Sequence, residues 1–119
     1  MAQHNELGKR GEQLAVDFLI ARGYKIKARN YRFQKAEVDI LAEKDGILAA
    51  VEVKTRASRE FGNPQDFVKP RQIKNLVKAV DAFILEENLD LEVRFDIIAI
   101  IKTNEHLELE HLENAFYHF

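Results

Sequence analysis

The amino-acid sequence predicts an α/β fold in which a mixed β-sheet carries one helix on each face. Helical and strand periodicities alternate along the chain in the order α-β-β-β-α-β-β. A helix between the third and fourth strands allows a right-handed crossover to a parallel strand pair. An Asp-Gly pair between the second and third strands is typical of a tight antiparallel hairpin. The sheet is therefore expected to contain both strand directions.

The first two elements are a helix and a strand. Residues 6–22 place Ala15, Val16 and Leu19 on one side of a helical wheel, and Gly23 suits a helix terminus. Glu12 lies within this side or at its border. Residues 24–29 alternate in the manner of a strand. We therefore expect the helix to pack on the sheet with Glu12 at the edge of the contact.

The other elements follow the same periodicities. Residues 37–43 and 47–55 are apolar-rich strands on either side of Lys44-Asp45-Gly46, and residues 56–69 are expected to form a loop. Pro70 suits the first position of a second helix. Residues 92–101 are apolar enough at their end for a central strand, residues 102–105 predict a turn, and residues 107–112 predict an edge strand.

Composition limits the class of protein. The length predicts a single domain over residues 1–119. The absence of cysteine excludes disulfides, zinc-thiolate sites and thiol nucleophiles. No uninterrupted apolar run is long enough to span a bilayer, and the start of the sequence lacks the apolar stretch of a signal peptide. A cytoplasmic protein with no membrane partner is therefore expected.

Charge is distributed unevenly along the chain. The formal net charge is -2, but residues 18–80 carry 14 basic and 7 acidic side chains, a net of +7, and residues 81–119 carry 2 basic and 10 acidic ones, a net of -8. The stretch from Phe18 to Ala36 contains no acidic residue. This asymmetry predicts a site for a polyanion in the middle of the chain.

The predicted hairpin brings acidic side chains together. If Asp45 and Gly46 form its loop, Asp39 faces Glu52 across the strands. Two sets of side chains then lie on opposite faces: Glu37, Asp39, Glu52 and Lys54 on one, and Val38, Ile40, Val51 and Val53 on the other, which is expected to face the core. Opposed carboxylates destabilise a strand pair unless a counter-charge is present, and a hard divalent cation with oxygen ligands is a natural one.

A purely structural interpretation of this hairpin stays open. Glu37 and Lys54 can form a cross-strand salt bridge, and Asp39 and Glu52 can lie on a solvated strand face. Three features favour a functional site: the turn signal is independent of the acidic residues, Glu12 borders the apolar side of the first helix, and the basic segment surrounds the hairpin.

Glu12, Asp39 and Glu52-Val53-Lys54 resemble the PD-(D/E)xK nuclease superfamily. A longer set of motifs resembles the YraN family, small bacterial proteins considered to be endonucleases and similar to archaeal Holliday-junction resolvases. These motifs are Gly8-Lys9-Arg10-Gly11-Glu12, Ala28-Arg29-Asn30-Tyr31-Arg32, Glu37-Val38-Asp39-Ile40, Val51-Glu52-Val53-Lys54-Thr55-Arg56, Phe61-Gly62 and Arg94-Phe95-Asp96. Ala36, where the family usually has glycine, and Gln72, where a basic residue is common, depart from the pattern.

The resemblance implies a restriction endonuclease-like αβββαβ core and hydrolysis of phosphodiester bonds in branched or otherwise structured DNA. It implies Glu12, Asp39, Glu52 and Lys54 as catalytic residues. Mg²⁺ or Mn²⁺ would be held by Asp39, Glu52 and the backbone carbonyl of Val53, with Glu12 as a further ligand, direct or through water. Lys54 would position a water or donate to phosphate oxygens.

Several predictions concern binding and the remaining polar residues. Phosphate contacts are expected from Arg29, Arg32, Arg56, Lys69, Arg71 and Lys74. Arg94 and Asp96 are expected to form a structural ion pair, and the four histidines, His4, His106, His111 and His118, to lie on the surface. Phe116, Tyr117 and Phe119 are expected to form either a terminal apolar plug or a homodimer contact.

The alternative to an enzyme is a non-catalytic module that binds nucleic acid or recruits a partner and retains the nuclease fold. All four residues of the motif are present, which favours the enzyme.

Overall fold

Two helices and five strands follow one another in the predicted order in the part of the chain that the structure describes. The structure is a computed structural model, and it describes residues 6–56, 69–104 and 106–115. Its elements are α1 (Glu6–Ala21), β1 (Lys25–Phe33), β2 (Ala36–Lys44), β3 (Ile47–Arg56), α2 (Pro70–Glu87), β4 (Glu92–Thr103) and β5 (His106–Leu112). No helix among the described residues has both the length and the apolar character needed to cross a membrane.

The strands form one mixed sheet in the order β1-β2-β3-β4-β5. β3 and β4 are parallel, and the other three pairs are antiparallel. The parallel pair is joined through α2, as the crossover predicts. β5 lies at an edge, as predicted. The α/β class and the mixed sheet between helices are confirmed, and they are consistent with a restriction endonuclease-like core.

Each face of the sheet has its own apolar core. Ala15, Val16 and Leu19 of α1 pack with Ala49 and Val51 on one face. On the other face, α2 packs against strand residues such as Leu48 and Ala50, which alternate along β3 with Ala49 and Val51. The buried α2 residues of this core are Leu76, Ala79, Val80 and Phe83. The expectation that only one face of the hairpin is core-facing is therefore wrong, because a helix covers each face.

The hairpin between β2 and β3 has the predicted loop. Lys44 pairs with Ile47, and the register continues to Ile40 opposite Val51. Asp45 and Gly46 have φ values of 53° and 80°, which are the two left-handed positions that a type I′ turn requires.

The alternation of β2 breaks at Asp39. Val38 packs in the cluster under α2, whereas Ile40 packs with Val51 in the cluster under α1. Val38 was predicted to share the face of Ile40, and that prediction is wrong. On the other side of β2, Asn30 lies between two regular pairs of the β1 ladder and has a left-handed φ of 52°. By the register of this ladder, Asn30 lies opposite Asp39, the residue at which the alternation of β2 breaks.

Some predicted boundaries differ from the structure. β1 extends to Phe33 because the polar segment after residue 29 stays paired with β2. Lys102 and Thr103, predicted in a turn, belong to β4 and pair with β5. Residues 57–68 of the predicted loop lie outside the described residues. Ala36 is buried and does not have a positive φ, so the position tolerates alanine.

Gly11 lets α1 approach β3 closely. A Cβ built on Gly11 would lie 2.3 Å from Thr55 Oγ1 and 3.4 Å from Ile100 Cγ1. We expect Gly11→Ala to lower the free energy of unfolding by about 1–3 kcal/mol, although alanine is the better helix former by about 1 kcal/mol. Urea denaturation measures the change. The loss should shrink when the same substitution is made together with Thr55→Ala, and an equal loss in both backgrounds would contradict the close contact.

Candidate active site

The candidate site lies where the ladder between β2 and β3 ends. The last regular pair is Ile40 with Val51, and the predicted ladder pair of Asp39 with Glu52 is not formed. Asp39 Oδ2 instead accepts a hydrogen bond of 2.8 Å from the backbone N–H of Val53. The two strands thus form a fork, in which a carboxylate side chain replaces a backbone acceptor.

Glu52 points toward α2. Its Oε2 accepts a hydrogen bond of 2.7 Å from Gln72 Nε2 and lies 3.6 Å from Lys54 Nζ. The residue is only 8% exposed. Its other oxygen, Oε1, is buried and has no hydrogen-bond partner among the described residues. A buried carboxylate oxygen without a donor is costly, and a cation or a proton would compensate for it.

Burial governs the protonation of both carboxyl groups. Burial, with a smaller contribution from the negative charge of Asp39, raises the pKa of Glu52 to about 8. Burial also raises the pKa of Asp39 to about 6, although the hydrogen bond from Val53 acts in the opposite direction. The negative charge of Asp39 thus acts on the pKa of Glu52 although the two residues are not ladder partners. The solvated strand face considered for this pair is excluded for Glu52.

Glu12 reaches the same region from α1. Glu12 Oε1 accepts hydrogen bonds of 3.1 Å from Arg29 Nη2 and 3.5 Å from Asn30 Nδ2. Glu12 and Asp39 line one cleft of about 640 Å³; its other lining residues are Leu7, Gly8, Lys9, Asn30, Arg32, Glu37, Val53 and Thr55. The negative charge of Glu12 contributes to the raised pKa of Asp39. The helix thus places a third carboxylate near the fork.

The donor atoms at the fork suit a hard divalent cation with a partial protein shell. Oxygen ligands from two carboxylates are what Mg²⁺ typically takes from a protein, and water or substrate phosphate completes its octahedron. Residues 6–56, 69–104 and 106–115 hold no three His, Cys, Asp or Glu side chains arranged as a ready metal cage. The unpartnered Glu52 Oε1 therefore fits a cation held by two protein carboxylates better than one enclosed by protein ligands alone.

Lys54 pairs with Glu52 rather than with Glu37. Lys54 Nζ lies 3.6 Å from Glu52 Oε2, whereas Glu37 Oε1 lies 3.6 Å from Arg32 Nη2. The cross-strand salt bridge considered between Glu37 and Lys54 is thus replaced by two other ion pairs. The ammonium group of Lys54 lies beside the most buried carboxylate of the site.

The basic residues predicted to bind phosphate lie in three places. Arg29 and Arg32 belong to β1, and Arg32 is 74% exposed at its side chain. Arg56 ends β3, and its Nη1 donates a hydrogen bond of 2.9 Å to the carbonyl of Thr55. The other three are exposed at the start of α2; they are Lys69, Arg71 and Lys74. None of these placements tests nucleic-acid binding, which stays a prediction.

Gln72 was not predicted as a site residue. The sequence analysis names Gln72 only as a departure from the family pattern, because its contact with Glu52 depends on how α2 crosses the sheet. The position of Gln72 two residues after the helix-starting Pro70 was the available signal, because the first turn of a crossover helix lies near the end of the preceding strand.

The polar network behind α1 includes one wrong prediction. Asp96 is fully buried, and Arg94 donates to both of its oxygens at 2.8 and 2.9 Å, which confirms the structural ion pair. His111 was predicted to lie on the surface, but its side chain is only 10% exposed and its Nε2 lies 2.8 Å from Asp96 Oδ2. Its ring also packs edge-on against Phe18. His106 is exposed, as predicted.

Other predictions fall outside the described residues. His4, His118 and the aromatic residues predicted as a plug or a dimer contact, Phe116, Tyr117 and Phe119, are among them, as is the Phe61-Gly62 motif.

Comparison with known proteins identifies the family. Residues 11–100 match the family described as "Uncharacterised protein family UPF0102". A UPF0102 protein of Christiangramia forsetii is 60% identical over the whole of both chains, and one of Flavobacterium psychrophilum is 58% identical over the same extent. A UPF0102 protein of Phocaeicola vulgatus is 44% identical over 98% of this chain and 97% of its own. The chain therefore belongs to the UPF0102 family, which is the YraN family that its motifs resemble.

Proposed function

We propose that this protein is a divalent-metal-dependent endonuclease that hydrolyses phosphodiester bonds in DNA, and that branched or otherwise structured DNA is its substrate. The observation that carries the proposal is the buried Glu52 Oε1, which has no hydrogen-bond partner among the described residues. A structural salt bridge would satisfy both oxygens of such a carboxylate.

The fork residues would have distinct tasks. Asp39, Glu52 and the backbone carbonyl of Val53 would hold Mg²⁺ or Mn²⁺, with Glu12 as a further ligand. When bound, such a cation lowers the pKa of a coordinated water and stabilises negative charge on the phosphate. The hydrogen bond from Val53 N–H to Asp39 fixes the orientation of that carboxylate, and Gln72 fixes that of Glu52.

Lys54 would act through its charge. Its ammonium group lies 3.6 Å from Glu52 Oε2, where neighbouring carboxylates favour the charged form over a neutral base. A charged amine can donate a hydrogen bond to a phosphate oxygen or hold the attacking water. Lys54 is therefore proposed as an electrostatic contributor and not as a general base.

The distribution of charge supports a nucleic-acid substrate. Exposed basic side chains flank the fork on β1 and on the first turn of α2. The exposed acidic residues Glu108 and Glu110 lie on β5, at the edge of the sheet opposite β1. The electrostatic field of this charge distribution would orient a polyanion toward the basic side chains of β1 and α2. A nuclease acting on cellular DNA would work in the cytoplasm, and a homodimer is part of the same proposal.

A cleavage assay with metal control tests the proposed function. Purified protein is incubated with branched, nicked, single-stranded and duplex DNA, with Mn²⁺ or with EDTA. We expect cleavage of at least one structured substrate with Mn²⁺ and none with EDTA. We also expect excess Mn²⁺ to raise the melting temperature, since a ligand at a hundredfold excess over Kd stabilises the folded state by about 2.7 kcal/mol. No cleavage of any substrate together with no shift in melting temperature would reject the proposal.

Gln72 provides a second test of the same site. Gln72→Met keeps the size of the side chain and removes the hydrogen bond to Glu52. We expect Mn²⁺ affinity to fall by about 10- to 100-fold, the usual effect of losing a partner that orients a metal ligand. Calorimetric titration of Mn²⁺ measures it, with Asn75→Ala on the same helix as the control. Unchanged affinity would show that Gln72 has no part in orienting Glu52.

A second candidate function is a non-catalytic nucleic-acid-binding module. The lack of a three-carboxylate cage among the described residues favours it. In the same assay, binding of DNA that persists in EDTA without cleavage of any substrate would support this candidate over the enzyme.

A further inference from the structure

We propose that Arg29 and Glu12 form an exchangeable ion pair that links nucleic-acid binding to metal binding. When nucleic acid binds, one of its phosphates replaces Glu12 as the partner of the Arg29 guanidinium. The released carboxylate of Glu12 then becomes a third ligand of the cation held by Asp39 and Glu52. The inference rests on the proposed function, because it requires cation binding at the fork.

Arg29 holds Glu12 through direct contacts. Arg29 Nη2 lies 3.1 Å from Glu12 Oε1, and Arg29 Nη1 donates a hydrogen bond of 3.2 Å to Gln13 Oε1. Two consecutive residues of α1 therefore occupy both terminal nitrogens of one guanidinium. Asn30 Nδ2 is at the limit of hydrogen-bond distance from the same Glu12 oxygen, 3.5 Å, and would hold it only weakly.

Glu12 lies beside one of the two carboxylates of the fork, Asp39. Both side chains line the same cleft, on the side of the sheet that carries α1. While it is paired with Arg29, Glu12 is a poor ligand for a metal cation, because its charge is already engaged by a guanidinium.

The pair is open to a phosphate from the solvent side. The side chain of Arg29 is 38% exposed, and that of Glu12 is 22% exposed. Exposed ion pairs contribute little to stability, so the exchange costs little. A guanidinium fork binds phosphate in a bidentate manner. A phosphate strand that follows the basic side of the sheet would therefore reach Arg29 before it reaches Glu12.

Exchange of the Arg29–Glu12 ion pair would couple the affinity for the cation to the affinity for nucleic acid. If nucleic acid releases Glu12 for the cation, the cation must strengthen nucleic-acid binding by the same factor. Each ligand would then complete the site for the other. Free metal would bind the protein only through the two carboxylates of the fork until a substrate phosphate is present.

A double-mutant cycle on Mn²⁺ binding by the full chain, without DNA, tests the exchange. We expect Arg29→Gln to bind Mn²⁺ about tenfold more tightly than the unaltered protein, because Glu12 is then free to ligate. Glu12→Gln alone should bind like the unaltered protein, and so should the double variant. Lys9→Gln is the matched control: it removes one positive charge from a side chain that lines the cleft of Glu12 and Asp39, and its affinity should change by less than about twofold.

DNA binding in EDTA tests the other half of the exchange. Glu12→Gln frees Arg29, so we expect the affinity for a labelled duplex to rise by about threefold, with a steeper dependence on salt. The gain should disappear in an Arg29→Gln background. Glu37→Gln, which removes a carboxylate paired with Arg32, serves as the control, and its effect should persist in that background.

Specific results would overturn the exchange. Equal gains in Mn²⁺ affinity for Arg29→Gln and Lys9→Gln would show that affinity follows the net charge of the cleft. A gain that survives in the double variant would exclude Glu12 as the released ligand. Undetectable Mn²⁺ binding by every form would reject both the exchange and the metal-dependent function, whereas the expected binding pattern without DNA cleavage would reject the nuclease alone.

Discussion

Glu52→Gln is expected to abolish metal-dependent cleavage while raising the free energy of unfolding of the metal-free protein. The substitution replaces one carboxylate oxygen with an amide nitrogen and removes the negative charge of the proposed ligand, so it should lower the cleavage rate by about 10³-fold or more. It also removes a carboxyl group that is costly to ionise because it is 8% exposed, so the folded state should gain on the order of 2 kcal/mol at pH 8.

The pH dependence of unfolding provides the control for this prediction. Glu52 has a raised pKa in the folded protein, so the folded state binds more protons than the unfolded state between the ordinary glutamate value and about 8. Stability of the metal-free protein should therefore fall as pH rises through this window. Urea denaturation at several pH values should show a smaller fall for Glu52→Gln, and Glu110→Gln, at an exposed position of β5, should leave it unchanged. A Glu52→Gln protein that is less stable than the unaltered protein at pH 8 would assign Glu52 a structural role.

Asp96→Asn is expected to destabilise the protein more than any other single substitution considered. Arg94, His111 and the backbone N–H of Asn114 all surround the buried carboxylate. An amide would present its own donors to these groups and leave Arg94 without its buried partner. Loss of one member of a buried ion pair costs about 3–5 kcal/mol.

Denaturation with urea measures this loss, and Glu110→Gln at an exposed position of β5 is a suitable control. Burial alone would raise the pKa of Asp96, but hydrogen bonds from His111 and Arg94 outweigh it and lower the pKa. The stabilisation is therefore present above the ordinary aspartate value and is lost as pH falls through the lower, folded value. A change below about 1 kcal/mol in Asp96→Asn would contradict the importance of this network.

Local patterns were sufficient to predict the elements and much of their arrangement. The type I′ turn at Asp45 and Gly46 set the hairpin register from Lys44 with Ile47 to Ile40 with Val51. Pro70 marked the start of α2. These features depend on one or two residues and on periodicity, which single-sequence reasoning handles well.

The arrangement of the candidate site could not be predicted in the same way. Strict alternation placed Asp39 opposite Glu52, but the hydrogen bond from Val53 to Asp39 interrupts the ladder. The contact of Gln72 with Glu52 and that of His111 with Asp96 join residues on different elements. Both depend on how a helix or an edge strand packs on the sheet, and neither leaves a periodic signal. The sequence was sufficient to nominate candidate site residues, but it did not show which residues from other elements contact them.

The short loop of the β2–β3 hairpin also bears on the order in which the protein folds. Asp39, Glu52 and Lys54 all belong to one contiguous hairpin, and hairpins of this kind form in about 1–10 μs. The parallel pairing of β3 with β4 needs closure of the long α2 crossover and is intrinsically slower. We therefore expect the hairpin to bring Asp39 and Glu52 into one region while both are still hydrated. Docking of α2 and β4 is then the step that dehydrates them. We therefore expect the free-energy cost of dehydrating these carboxylates to arise late in folding, after the hairpin has formed.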